Sequence, residues 1–351
     1  EIPSCKLAKF SKLKILQAPF FSEFRNFFHA KLERLFLVPA NTFDNVKGQF
    51  PIGFYIWDLN EHKPFETIRS DVYDIDGKFY TYKKITIQLP KSFINNWIFS
   101  TRKRNNEKII AFLNVNSSDF QHNNIIYIAT TKEQYKGAHG LYITNQNLTE
   151  SAIYLTVRHS IAPTWLNDRD QFLYPNNGWQ QDSAFQNNCL VSTLFSTFNN
   201  IQSQYGTNHW IPFTEEEVNA QSRFESHFMT DFMTGKLFHP LTHQSKTTLQ
   251  ALAEEKSFIP SEPLVFSAEA TAVFDAGREL WRYYHTQLGA NPNASYYDIR
   301  EHFQGRNDKG KMNAKSEDKE YMRLLANLKE AMETLRLKIV PKVYEYGFLM
   351  E

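Results

Sequence analysis

Cysteine, long apolar runs and net charge are all scarce in this sequence. The two cysteines among the 351 residues, Cys5 and Cys189, form no spaced set, which argues against a disulfide framework and a zinc site. His239 and His243 have the spacing of metal ligands, but Pro240 lies between them and argues against a metal site. No run of about 18 apolar residues occurs, so we expect no membrane span and predict a reducing, cytoplasmic location.

The charge that is present is distributed unevenly. Residues 1–150 carry 20 basic and 14 acidic side chains, a net charge of +6, and the rest of the chain carries a net charge of −5. A basic amino-terminal part fits a polyanionic partner. Aromatic residues make up 15% of the chain, which suits either core packing or base stacking, and composition does not choose between the two.

The first 60 residues predict the end of an α/β sheet. Alternation over residues 5–17 predicts a strand, and the helical spacing of Phe and Leu over 20–35 predicts a helix. A short strand is predicted at 35–40. The near-continuous apolar run at 51–59 predicts a strand that is buried on both faces.

The middle of the chain predicts further strands, and the last 200 residues or so predict mainly helices. Asp76-Gly77 is a strong hairpin signal between two β-rich runs, and strands are predicted at 109–115 and 125–130. Helices are predicted at 149–159, 187–198, 215–234, 267–287 and 320–340, with Ser267 and the Thr214–Glu217 pair as caps and Pro341 as a terminator.

A short loop between two predicted strands combines an aromatic ring with polar and charged groups. Phe43 lies at the loop tip, and Asn45 and Lys47 follow it closely. An enzyme that modifies a base within duplex DNA rotates the base out of the stack and holds it against aromatic faces. Phe43 is therefore a candidate for base stacking, and Asn45 and Lys47 are candidate DNA contacts. The alternatives are an ordinary core phenylalanine and solvated loop residues.

A basic run offers a second candidate contact with DNA. Arg102, Lys103 and Arg104 follow one another in a polar stretch. Such a run can bind phosphates, in which case binding weakens as the salt concentration rises. The alternative is a solvated turn that contacts no partner.

The segment 164–176 (TWLNDRDQFLYPN) offers a third candidate contact. Asn167 and Arg169 belong to residue types that make bidentate contacts with base edges. The alternative is an ordered loop that is hydrogen-bonded internally, with Arg169 paired to a carboxylate.

Residues 5–59 resemble the end of the catalytic domain of adenine-specific (N6) DNA methyltransferases. In that family a strand and a helix follow the catalytic loop, and an antiparallel hairpin then closes a Rossmann-like sheet. The hairpin loop bears an aromatic residue that contacts the flipped adenine, as Phe43 would here. Segments 164–176, 266–281 and 297–313 resemble the carboxy-terminal part of a bacterial N-6 DNA methylase group.

The resemblance implies a transferase of the kind found in restriction–modification systems, which moves a methyl group from S-adenosylmethionine to adenine N6 in double-stranded DNA. Phe43 would brace the adenine ring and Lys47 would contact a phosphate. The implied fold class is α/β plus α. Residues 1–60 would form the carboxy-terminal strands of a Rossmann-like methyltransferase sheet, residues 61–147 a small β-rich part, and residues 148–351 a mainly helical target-recognition region.

The sequence departs from the family at the catalytic motifs. The tetrapeptide of Asp or Asn, Pro, Pro, and Tyr or Phe is absent, and no glycine-rich loop follows a strand. We therefore expect this chain alone to contain no catalytic residue and to bind no S-adenosylmethionine. A missing upstream catalytic segment, suggested by a first residue that is not Met, or a separate methylating subunit would supply both. Two further classes stay open: a non-catalytic DNA-specificity or interaction module of a restriction–modification system, and a structural protein unrelated to DNA.

Overall fold

The computed structural model describes residues 5–86, 92–102, 108–237 and 262–350. Within these ranges nine strands form two mixed sheets, and several helices accompany them. None of the helices in this part of the chain is long and apolar enough to cross a membrane. His239 and His243 lie outside the described residues.

The first sheet has the strand order β1-β3-β2-β4-β5. Its strands are β1 (Lys6–Lys12), β2 (Ala30–Pro39), β3 (Pro51–His62), β4 (Thr67–Tyr73) and β5 (Phe79–Thr86). Strand β3 is antiparallel to both β1 and β2, so β1 and β2 run in the same direction with β3 inserted between them. Strand β4 is parallel to β2 and antiparallel to β5. The strand predicted at 51–59 and the Asp76-Gly77 hairpin are confirmed.

One face of this sheet, the inner face, is buried. Leu37, Tyr55 and Val72 are fully buried there and pack with Leu13 and Leu16, which lie at helix α1 (Lys14–Gln17). Alternate residues of each strand point to the same face, which is why the apolar residues of β2 and β3 meet in one layer. The opposite, outer face is only partly covered.

The helix predicted at 20–35 is wrong over most of its length. Helix α2 spans Ser22–Phe27, and β2 begins at Ala30. The helical spacing of Phe and Leu coincides here with a second pattern, the alternation that sends Leu35 and Leu37 to the inner face. Pairing with β3 along β2 decides between the two patterns, because local propensity is weaker than tertiary pairing.

The second sheet has the order β8-β6-β7-β9. Its strands are β6 (Ala111–Asn114), β7 (Tyr127–Ala129), β8 (Gly140–Ile143) and β9 (Asn199–Asn200). Strands β6 and β7 lie within the predicted strands at 109–115 and 125–130, which are confirmed. Since β4 and β5 belong to the first sheet, the residues 61–147 contribute strands to both sheets rather than to a separate one.

Helices pack with the second sheet around the large hydrophobic core. They are α3 (Ile94–Ser100), α4 (Leu148–Ser160), α5 (Ser183–Leu194), α6 (Phe228–Met233), α7 (Ala268–His285), α8 (Tyr296–Gln304) and α9 (Lys319–Glu345). The helices predicted at 149–159 and 267–287 are confirmed. Ser267 caps α7, because its hydroxyl accepts the amide hydrogen of Ala270 at 3.1 Å.

Two predicted helix boundaries are wrong. Thr214 and Glu217 do exchange reciprocal hydrogen bonds, but these close a turn, and α6 begins only at Phe228. Pro341 lies within α9, which continues to Glu345. Val343 is fully buried, and its packing on the core outweighs the backbone hydrogen bond that Pro341 cannot donate.

Candidate functional site at the carboxyl ends of β1 and β2

The loop between β2 and β3 has a fixed path. The amide of Ala40 donates to the carbonyl of Phe50 at 3.0 Å and closes the base of the loop, and the amide of Phe43 donates to the carbonyl of Ala40 at 3.2 Å. Asn45 and Gly48 have positive φ angles of 64° and 125°. A Cβ atom at Gly48 would lie 2.8 Å from the ring of Phe50, so glycine is required for close approach as well as for conformation.

Phe43 is half-buried at the edge of the outer face. Its ring packs edge to face against Phe10 with 5.0 Å between ring centroids, and it joins a small apolar cluster around Val38, Ala40 and Ile52. The packing holds the ring in place, and the part that stays accessible could contact a planar ligand. Phe10 is a contributor to this site that the sequence analysis missed, since only strand pairing brings it next to Phe43.

The loop that bears Phe43 also carries Lys47, and the end of β1 carries a second cation, Lys12. Lys47 and Asn45 are exposed, and neither side chain makes a hydrogen bond or ion pair with another described residue. Lys12, at the end of β1, places its ammonium group 4.4 Å from the ring centroid of Phe50. Lys12 and Pro39 pair with the neighbouring residues Ile52 and Pro51 of β3, so the ends of β1 and β2 place Lys12 and the Phe43 loop at one end of the sheet. A ring and cations at one end of a sheet suit an anionic ligand with a flat group. Lys12 was not singled out as part of this site by the sequence.

Arg102 belongs to a different part of the molecule. Its guanidinium donates to the carbonyl of Gly140 in β8 at 2.8 Å and lies 4.8 Å from the ring centroid of Phe99. Arg102 is therefore associated with the second sheet and not with the loop that bears Phe43. Lys103 and Arg104 lie outside the described residues.

The segment 164–176 uses its polar groups internally. The side-chain oxygen of Asn167 accepts the amide of Thr164 at 2.7 Å, and its side-chain nitrogen donates to the carbonyl of Ala162 at 3.0 Å. Arg169 donates to Gln121, and its Nε lies 3.1 Å from a carboxylate oxygen of Asp168. This geometry corresponds to the internally bonded alternative, because both polar ends of Asn167 are already occupied.

The same segment joins the two sheets. Lys83 of β5 donates to Asp170 at 2.6 Å and to the carbonyl of Leu166 at 2.8 Å. Trp165 and Leu166 pack against the inner-face cluster. Burial raises the pKa of the Asp170 carboxyl above its ordinary value, and the charge of Lys83 opposes that rise. This ion pair was not predicted, since its partners are far apart in the sequence.

The connection from β1 to α1 lacks the glycines of a loop that holds S-adenosylmethionine. The connection from β1 to α1 passes through Leu13, and the sequence around it contains no glycine. A glycine-rich turn between strand and helix is what lets a backbone approach such a cofactor closely. No catalytic step at the cofactor is therefore assigned to this chain.

Comparisons with family models, curated proteins and solved structures found no match to this chain.

Proposed function

We propose that this chain is the carboxy-terminal part of an adenine-specific (N6) DNA methyltransferase, and that it braces the target base and contributes to recognition of double-stranded DNA. An upstream segment or a separate methylating subunit would bind S-adenosylmethionine and contain the catalytic tetrapeptide. The observation that carries the proposal is the insertion of β3 between the parallel strands β1 and β2, with an aromatic loop at their carboxyl ends.

The topology of the first sheet supports this proposal. Strand β1, helix α2 and strand β2 come in the order strand, helix, strand, and β3 then returns antiparallel between the two strands. A strand, a helix and then an antiparallel hairpin is also the succession of elements that the resemblance of residues 5–59 implies for the end of the methyltransferase catalytic domain. The inserted antiparallel strand is a specific feature, because a simple meander would place β3 outside β2.

The position of Phe43 supports the role in base stacking. The half-buried ring is braced by Phe10 on one side, and the exposed groups of Asn45 and Lys47 lie along the same short loop. An extruded adenine needs an aromatic face and nearby donors, and the phosphates beside it need cations. The loop provides these groups on one edge.

The free edge of β1 is a further argument, because it can pair with a strand from another segment. Within the described part of the chain β1 pairs with β3 alone, so its other edge offers unpaired backbone groups. Leu7 and Phe10 point to opposite faces of β1 and are 37% and 48% exposed. A strand with apolar residues on both faces suits the interior of a sheet. We infer that the methylating segment adds its strands at this edge.

The test measures methyl transfer to adenine by the chain joined to, or mixed with, a segment that contains the tetrapeptide and binds the cofactor. Phe43→Leu keeps an apolar side chain in the cluster but removes the aromatic face, and Phe43→Tyr keeps the face. Stacking of one base is worth about 1–3 kcal/mol, so we expect Phe43→Leu to lower kcat/KM by about 5–150-fold. Phe43→Tyr should stay within a few-fold of the wild type.

A second readout separates base stacking from loss of folding. The fluorescence of 2-aminopurine at the target position rises when the base leaves the stack, and Phe43→Leu should reduce that rise while duplex binding persists. Equal activity and equal fluorescence in the two variants would remove Phe43 from the mechanism. DNA binding without any methyl transfer in the presence of the added segment would favour the non-catalytic specificity module instead.

A further inference from the structure

The outer face of the first sheet carries a continuous row of aromatic rings. The row crosses all five strands, and neighbouring ring centroids are 4.7–6.2 Å apart. Its members, in spatial order from β1 to β5, are Phe10, Phe54, Phe36, Tyr73, Phe79 and Tyr82. Strand register explains the row, because Phe10, Phe54 and Phe36 are directly paired across β1, β3 and β2.

The ends of this row are open to solvent. Phe10 is 48% exposed at one end, and Phe79 and Tyr82 are 52% and 51% exposed at the other. Large aromatic residues that are exposed together on one face usually mark a binding surface. The inner face of the same sheet is buried, so the exposure is a property of one face and not of a loosely packed sheet.

Exposed cations flank the row. Arg34, Arg69 and Lys84 are exposed on the same face, and Lys12 lies at its β1 end. Arg69 and Lys84 are directly opposite each other in the β4–β5 pair, where like charges destabilise a sheet. Neither makes an ion pair with another described residue, although the guanidinium of Arg69 lies 3.7 Å from the ring centroid of Tyr82. Asp71 is exposed on the same face, between Phe36 and Tyr82, and it leaves the cations in excess. An excess of cations beside exposed rings favours an anionic ligand with flat groups.

We propose that this outer face binds an unpaired segment of polynucleotide, with bases stacked on the exposed rings and phosphates along the flanking cations. Aromatic rings on a sheet between basic side chains suit single strands, whose bases are free to stack, and do not suit a duplex, whose bases are already stacked. The proposal goes beyond the proposed function, which concerns double-stranded DNA and the single loop around Phe43. A purely apolar protein partner would offer no anionic group to the excess of cations on this face.

The test uses the full chain and a fluorescently labelled oligo-dT strand, with binding followed by anisotropy at low salt. Tyr82→Ala and Phe79→Ala should each raise Kd by about 5–150-fold, because a stacked base is lost. Phe27→Ala is the matched control, since Phe27 is 84% exposed but lies on α2, away from the outer face, and it should leave Kd unchanged. Lys84→Ala should lower the slope of log K against log salt by about 0.7, as expected for one phosphate contact with a single strand.

Several results would overturn the proposal. They are no binding of oligo-dT by the wild type, an equal loss in Phe27→Ala and Tyr82→Ala, or an unchanged salt slope in Lys84→Ala. Thermal unfolding of each variant checks that a loss of oligo-dT binding is not caused by a loss of folding. Tyr82→Phe keeps the ring and should bind like the wild type. Failure here is distinguishable from failure of the proposed function, because methyl transfer and its dependence on Phe43 are measured on duplex DNA and do not require Tyr82.

Discussion

Acid should destabilise this protein partly through one histidine in the second part of the chain. His159 of α4 stacks flat on Phe198, with 3.5 Å between ring centroids and 8° between ring planes. Its Nε2–H donates to the carbonyl of Ile126 at 2.9 Å. Burial lowers the pKa of His159 from 6.5 to about 3, because the surrounding groups solvate the imidazolium poorly.

The direction of the effect follows from the proton count in each state. Between pH 6.5 and about pH 3 the unfolded chain binds a proton at His159 and the folded chain does not. The free energy of unfolding therefore falls as the pH falls through this window, and the contribution is fully present above pH 6.5. Between pH 7 and pH 5 the loss from this one group is about 2 kcal/mol, since each pH step within the window is worth about 1.4 kcal/mol.

The measurement is urea unfolding of the wild type and of His159→Gln at pH 7 and pH 5. We expect the variant to be less stable at pH 7, because it loses the stacking on Phe198, yet to lose about 2 kcal/mol less than the wild type between the two pH values. An identical pH dependence in the wild type and His159→Gln would refute the reasoning.

Two further predictions concern packing and the joint between the sheets. A Cβ atom at Gly277 of α7 would lie 2.3 Å from the ring of Phe195, so Gly277→Ala should destabilise the protein by about 1–3 kcal/mol through overpacking. Gly289→Ala is a contrasting variant, because nothing lies within 4 Å but φ is +75°, so any loss of thermal stability there comes from the backbone and not from overpacking. Lys83→Met should lower the free energy of unfolding in urea by about 1–3 kcal/mol, because it leaves the half-buried Asp170 carboxylate without its cation. The double variant Lys83→Met/Asp170→Leu should recover much of that loss, and no recovery would show that the ion pair is not what stabilises the joint.

The sequence predicts those elements whose local pattern agrees with their surroundings. The apolar run of β3, the Asp76-Gly77 hairpin and the capped helix α7 each carry one unambiguous signal. The stretch at 20–35 carries two signals, a helical spacing and an alternation, and only the pairing of β2 with β3 decides between them. Pro341 is a reliable stop signal for an isolated helix, but α9 is held along its length by core packing.

The candidate site was only partly predictable. Phe43, Asn45 and Lys47 are visible in the sequence because they share one short loop. Phe10 and the aromatic row are not, because their proximity depends on strand register and strand order. Arg169 could not be assigned in advance either, since its partner Gln121 is 48 residues away in the chain. A sequence pattern indicates which contacts a type of side chain is able to make. Whether its hydrogen-bonding groups are already occupied depends on residues that are distant in the sequence.

The connection through residues 164–170 has a practical consequence for anyone who wishes to dissect this protein. A fragment of residues 5–86 alone would lack Trp165 and Leu166, which pack against the inner-face cluster. It would also lack Asp170, so the ammonium group of Lys83 would lose its carboxylate partner. In the isolated sheet, apolar groups would be exposed on the inner face as well as on the outer face. Aggregation of such a fragment would reveal nothing about nucleic-acid affinity, so the intact chain is the proper object for every assay.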